Sequence, residues 1–260
     1  MTGTRAAVAR FGQRQQTPKS KPPRHSIAGL CTNPELTVHD KKESNFSLQN
    51  EYEAFAGLYE PLLEPFLKSV RRAVVEELYI HRKETILDVC CGTGSQVRLL
   101  AENGFDRLHC LDRSRAMLGV AKKIGHAVQI HCQDATHLAF VDNSFDGVLT
   151  SLALHEKSRA DQEKLISEVH RVLKPGGWFL AVDFKIDHET RPWSAWVIRL
   201  IEGFAGGDHY RHFRSFVQCG CLAGLVSSQL FEPIRNRRRA MRGIELALYQ
   251  KVEQIPALPS

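Results

Sequence analysis

The stretch Thr-Ile-Leu-Asp-Val-Cys-Cys-Gly-Thr-Gly at 85–94 constrains this chain more than any other. An apolar run ends in Asp88, glycines follow at 92 and 94, and a helical pattern starts near Ser95. A strand that turns through a glycine loop into a helix is built to hold a nucleotide. Glycine lets the backbone approach the ligand, and the unpaired N–H groups of the first helical turn face it. The second half of the signature is Leu-His-Cys-Leu-Asp at 108–112, another strand pattern ending in an acid. A carboxylate there can accept both hydroxyls of a ribose.

Strand and helix patterns then alternate. Strands are expected at 85–90, 107–112, 128–133, 145–152 and 178–184, and helices at 95–103, 114–123 and 160–172, with Ser114 as an N-cap. Lys174-Pro175-Gly176-Gly177 reads as a turn. Such alternation means an α/β fold with a Rossmann-like, doubly wound, mostly parallel sheet. Two further strands, near 225–232 and 244–251, are joined by Arg235, Arg237, Arg238, Arg239 and Arg242 and bring the sheet to seven. Helical segments cap it. Residues 46–80 carry apolar side chains at helical spacing, including Phe55, Tyr59, Leu67, Val70 and Val74. Residues 185–224 form an insert whose aromatic helix, 192–204, ends at Gly206-Gly207 before another helix at 210–218. The expected organisation is a disordered basic leader over 1–45 and a single domain over 46–260.

Charge separates leader from body. No acid precedes Glu35, whereas Arg5, Arg10, Arg14, Lys19, Lys21 and Arg24 do; these six account for the formal net charge of +6. A formally neutral body argues against nucleic acid as a partner. The leader reads as a solvated tail or, alternatively, an organelle transit segment. No apolar run reaches the roughly 18–20 residues that span a bilayer. The seven cysteines lack a framework spacing and suggest free thiols in a reducing, cytoplasmic setting. His109-Cys110, His131-Cys132 and Cys219/Cys221 lack zinc-site spacing, and no metal is expected.

Taken in order, these motifs resemble the class I S-adenosylmethionine-dependent methyltransferases, nearest to the branch of the ubiquinone and menaquinone C-methyltransferases. The resemblance is carried by Asp88-Val-Cys-Cys-Gly-Thr-Gly94, by Asp112-Arg113-Ser114 with Met117-Leu118, and by Gln133-Asp134-Ala135. Ser144-Phe145-Asp146 and Arg171-Val-Leu-Lys-Pro-Gly-Gly177 complete it. It implies S-adenosyl-L-methionine as cofactor and methyl transfer to a small, apolar or amphipathic acceptor: a quinone precursor, a lipid amine or a secondary metabolite. Asp88 would favour the cofactor's ammonium group. The amides around Cys90, Gly92 and Gly94 would face its amino-acid portion. Asp112 and Arg113 would lie at the ribose, Met117 on the adenine face, and Asp134 with the amide of Ala135 at the adenine edge. Many relatives carry glycine where Cys90 stands, so the turn there should avoid glycine-only dihedrals. Bland readings stand beside these: core packing for Met117, a strand-end turn for Asp134, and a helix-start acid for Asp112.

Methyl transfer is an in-line displacement, so the protein's work is alignment and, for a carbon, phenol or ammonium acceptor, proton removal. Ser151 to Glu156 follow the fourth strand and should line the mouth. Ser151 is expected on the cofactor and His155 on the acceptor, unless His155 is a surface-loop histidine. Asp183 could orient substrate. His209 and Tyr210, with Phe213, resemble an acceptor-side aromatic cluster, and Tyr59 an aromatic that closes over the cofactor or simply packs. The insert and the arginine cluster fit a lid over an apolar pocket, or a peripheral membrane contact. A catalytically silent binding protein and an NAD-dependent oxidoreductase are the alternatives. The latter wants a Gly-x-Gly-x-x-Gly turn that 90–97 lack.

Overall fold

The computed structural model describes residues 67–192, 194–196, 198–199, 207–239 and 242–252. The basic leader and most of the expected cap over 46–66, Tyr59 included, lie outside the described residues. In chain order the elements are α1 (67–78), β1 (Ile86–Val89), α2 (Ser95–Glu102), β2 (Leu108–Asp112), α3 (Arg115–Ala121) and β3 (Val128–Cys132). They continue with β4 (Phe145–Ser151), α4 (Arg159–Val172), β5 (Leu173–Phe184), α5 (Gly207–Gln218), α6 (Cys221–Leu225), β6 (Phe231–Arg239) and β7 (Ile244–Lys251). The seven strands form one sheet in the order β3-β2-β1-β4-β5-β7-β6. The first five are parallel, and β7 runs antiparallel to both β5 and β6.

β1 shows why the sequence folds this way. All four of its residues are buried, because a parallel strand is covered on both faces. Leu87 and Val89 join the apolar layer under α4 and α6. Ile86 joins the opposite layer, under α1 and α2. Burying each such side chain contributes about 1.5–3 kcal/mol. α4 opens on Ser158, whose side chain accepts from the Asp161 N–H, and buries Leu165, Ile166, Val169 and Val172 on one stripe.

Two expected boundaries change. The turn at 174–177 is a bulge inside β5: Phe145 pairs with Leu173 but Gly147 with Trp178, leaving the intervening residues to loop out, with Gly176 at φ 70°. The strand expected at 225–232 instead lies at Phe231–Arg239, on the arginine-rich stretch read as a loop. That strand is the sheet's edge. One covered side suffices there, and arginines with Pro233 discourage further pairing. The thiol expectation also changes in part: Cys90, Cys91, Cys110, Cys132 and Cys221 are free, whereas Cys219 is disulfide-bonded. Among the described residues no helix is long and apolar enough to cross a membrane.

Candidate active site

The strand order reverses between β1 and β4: from β1 the chain lays β2 and β3 to one side and then β4 and β5 to the other. In open parallel sheets ligands sit outside the carboxyl ends of the strands at such a point. Asp112 ends β2 and Ser151 ends β4, Asp88 is the penultimate residue of β1, and Asp183 that of β5. These four neighbouring strands therefore put the candidate residues along one edge.

Asp88 is the most unusual of them. It is 2% exposed, and neither of its carboxylate oxygens has a hydrogen-bond partner among the described residues. Burial first, and the negative charge of Asp112 second, push its pKa up from 3.8 to about 8. Leaving a buried carboxylate unpaired is costly, and a cationic group placed against it would relieve that cost.

The loop beyond Asp88 is shaped for close approach. Cys90 takes φ 61°, Gly92 φ 56° and Gly94 φ 74°. Cys90 thus does adopt the left-handed region, contrary to the expectation that it would avoid glycine-like dihedrals; αL is tolerated by a residue with a Cβ at a modest cost. Burial, the largest influence, lifts its thiol to about 11. The two glycines differ in purpose. A Cβ on Gly92 would meet nothing within 4 Å, so this face opens on space. A Cβ on Gly94 would lie 2.8 Å from Ile124 Cδ1 and 3.0 Å from Ala121 Cβ. Gly94 therefore serves packing of the loop on α3 rather than ligand approach. α2 begins at Ser95 with no side-chain cap on its first turn, which leaves N–H donors for an anionic group.

Asp112 fastens this loop. The Gly92 N–H donates to its Oδ2 at 2.9 Å and the Ser114 N–H to its Oδ1 at 2.9 Å. An ionised carboxylate offers about four acceptor sites, so each oxygen keeps capacity for a hydroxyl. Ser114 caps α3, accepting from the Met117 N–H, and Met117 is half-buried at the helix start while Arg113 is exposed. Ala135 is buried, and Asp134 is exposed with its Oδ1 taken by the N–H and hydroxyl of Thr136, both at 2.8 Å. The strand-end-turn reading of Asp134 is thus present, with Oδ2 remaining for a ligand.

On the far side of the edge, His155 is not a surface histidine: it is 3% exposed. Its Nδ1 lies 2.6 Å from Asp183 Oδ1, and the Leu154 and His155 N–H groups donate to Asp183 Oδ2 at 3.0 and 3.3 Å. Both oxygens of Asp183 are thereby engaged by His155 and neighbouring backbone N–H groups. Leu152, between Ser151 and His155, sits at φ 54°, local strain of the kind that collects at functional sites. Phe184 packs edge-on to His155 at 4.7 Å between ring centroids, and His209 at 5.7 Å. Tyr210 stacks with Phe213 at 6.3 Å. α5 thus carries His209, Tyr210 and Phe213 against His155 and Phe184 at the β4–β5 end of the sheet.

Two neighbours have no assigned role from the sequence: Glu156 is expected only to line the mouth, and Lys157 is given no part. Lys157 has its pKa raised, first by Cys90 and also by Glu156 and Asp112, so a cation stands beside the glycine loop. Glu156 lies with His155 and His209, and their candidate ligand atoms fall within 4.8 Å of one another. Nothing in the local spacing announces either, since His209 arrives from a helix more than fifty residues away.

Comparison with known proteins agrees with this geometry. Residues 87–181 match the family model described as a methyltransferase domain. An uncharacterized methyltransferase of Synechocystis is 41% identical over 123 residues, 47% of this chain and 56% of that one. A demethylmenaquinone methyltransferase of Beutenbergia cavernae is 36% identical over 124 residues, 48% of this chain and 49% of its own length. The chain thus spans about half the length of these relatives. The 1,6-didemethyltoxoflavin-N1-methyltransferase of Burkholderia thailandensis, solved with 1,6-didemethyltoxoflavin and S-adenosylhomocysteine, superimposes with a TM-score of 0.56. That match is at 16% identity, over 85% of this chain and 93% of that one, and shows a shared fold.

Proposed function

We propose that this chain, a member of the class I S-adenosylmethionine-dependent methyltransferases by its domain and its fold, methylates a small, apolar or amphipathic acceptor. Quinone precursors, lipid amines and secondary metabolites fit this class; the relative from Beutenbergia, by its name, acts on demethylmenaquinone. The observation that carries the reading is Asp88, a buried carboxylate with two unpaired oxygens beside a glycine loop that opens on space.

The residues fit S-adenosylmethionine group by group. Asp88 would hold the ammonium, and the first-turn amides of α2, with Lys157 near, would take the carboxylate. The remaining acceptor sites of Asp112 would hold the ribose diol, and Met117, Asp134 and the Ala135 amide would border the adenine. The cofactor's sulfonium supplies the activated methyl group. The protein's own part is alignment, exclusion of water and acceptor preparation. His155, fixed by Asp183, offers Nε2 on the acceptor side, where it can orient an acceptor or take its proton. His209 and Tyr210 border the same space.

The ion pairs of the arginine-rich β6 speak against a membrane contact. Arg235 and Arg237 pair with the buried Glu77 at 2.9 and 3.2 Å, so part of that charge is neutralised within the protein.

Calorimetry with S-adenosylmethionine and S-adenosylhomocysteine tests the cofactor half. Binding of neither, with binding of a nicotinamide dinucleotide, would refute it. Mass spectrometry of extracts incubated with isotopically labelled cofactor then identifies the acceptor. Cofactor binding with no labelled product would leave the catalytically silent reading in its place.

A further inference from the structure

We infer that His155, Glu156 and His209 form a binding site for a divalent transition-metal ion at the acceptor side of the active site. Their ligand atoms all lie within 4.8 Å of one another, a spacing that a modest rotation of side chains converts into a shared ligand sphere. Two imidazoles and a carboxylate suit borderline ions such as Zn²⁺, Co²⁺ or Fe²⁺ and are poor for Ca²⁺ or Mg²⁺, which prefer oxygen-rich sites.

Three further features support the site. The first is the outer shell. Asp183 Oδ1 takes His155 Nδ1 at 2.6 Å, so Nε2 is the ligating atom, and carboxylate–histidine–metal relays are the usual way such a ring is oriented. Asp183 is itself pinned by three backbone N–H groups, of Leu154, His155 and Phe184. The second is the way two elements are stitched together. His212, one turn after His209 on α5, lies with Nδ1 2.9 Å from the Glu156 carbonyl. The helix that brings His209 is thereby docked on the loop that brings His155 and Glu156. The third is burial: His155 is buried and its two partners are half-buried, which leaves a side for a fourth, exchangeable ligand. Lys157 acts on Glu156 and works against a cation; the negative charge of Asp183 behind His155 works for it.

This inference rests on the acceptor face assigned above and replaces proton acceptance by His155 with coordination through it. An acceptor oxygen bound in the exchangeable position loses its proton to solvent more readily. It then bonds to the methyl carbon as the carbon–sulfur bond breaks, leaving methylated acceptor and a neutral thioether. The acceptor class this favours is a phenol, catechol or quinol.

Co²⁺ is the probe, because its visible absorption reports coordination. The full chain, stripped with a chelator, should bind one Co²⁺ per chain and show a raised thermal midpoint. Glu156→Gln and His209→Ala should each weaken Co²⁺ binding at least tenfold, and Asp183→Asn about 10- to 100-fold. His131→Ala, in the separate stacked pair whose ring nitrogens lie 3.2 Å apart, should change nothing. Catechol should shift the spectrum of the Co²⁺-loaded protein. S-Adenosylhomocysteine affinity, measured on the same samples, should be unaffected by Glu156→Gln, which also shows that the variant is folded. No stoichiometric Co²⁺, equal binding by Glu156→Gln and His209→Ala, or loss of binding in His131→Ala overturns the metal site. An unmoved spectrum with catechol overturns the acceptor-oxygen role. Failure to bind S-adenosylhomocysteine would instead strike the methyltransferase reading.

Discussion

Replacing Asp88 by Asn should stabilise the ligand-free protein and weaken its cofactor site at the same time. The sign follows from the raised pKa, about 8 against an ordinary 3.8. Between these values the folded state holds a proton that the unfolded chain has released, so stability falls as pH rises. Each pH unit costs about 1.4 kcal/mol, so by pH 7 the wild type has lost up to roughly 4 kcal/mol relative to a neutral side chain at this position. That is a large part of the usual 5–15 kcal/mol of a folded domain. Asn is nearly isosteric with the protonated acid and does not titrate. Urea unfolding at half-unit steps from pH 4 to 9 should therefore show two curves that meet at acid pH. They should separate progressively, with the variant the more stable, until about pH 8, and run parallel above it. Binding reverses the order. Loss of a charge-assisted pair with an ammonium, worth about 1.5–3 kcal/mol, predicts at least tenfold weaker S-adenosylhomocysteine. Wild-type binding at pH 7 should also release close to one proton, seen as a calorimetric heat that depends on the buffer. A variant less stable than wild type at pH 7, with the same pH slope, would refute the reasoning.

Asp112→Ala should cost cofactor affinity at least tenfold by calorimetry. Because the Gly92 and Ser114 N–H groups lose their acceptor, it should also lower unfolding free energy by about 1–3 kcal/mol per group left unsatisfied. Gly94→Ala should destabilise by about 1–3 kcal/mol through overpacking against Ala121 and Ile124 together with its positive φ. Gly92→Ala, with open space before it, should be milder in denaturation and harsher in cofactor titration; the opposite ranking would contradict the division between them. Asp183→Asn should lower kcat with cofactor affinity within twofold of wild type, since among the described residues its carboxylate bonds only to His155 and to the backbone N–H groups of Leu154, His155 and Phe184.

The sheet and the edge where its strands end in acids are legible in the amino-acid order alone. Periodicity located β1 to β4 and α2 to α4 to within a residue or two, and β5 at its carboxyl end, because strands buried on both faces must read as apolar runs. Each ends where a turn residue or an acid interrupts the run. Asp88, Gly92, Gly94 and Asp112 were legible for the same reason: a local βα turn with its own backbone demands fixes residue types at fixed offsets. Position in the sheet was not legible. The arginines of β6 looked like a loop because polarity alone does not distinguish an edge strand from a connection. The tertiary structure, not the sequence, shows that Asp88 lacks partners among the described residues, that Asp112 ties the glycine loop down, and that Gly94 faces α3. It also decided that His155 is buried on Asp183 and that His209 and Glu156 meet it. These are contacts between elements far apart in the chain. Their energies depend on desolvation and distance, quantities that exist only once the chain has folded.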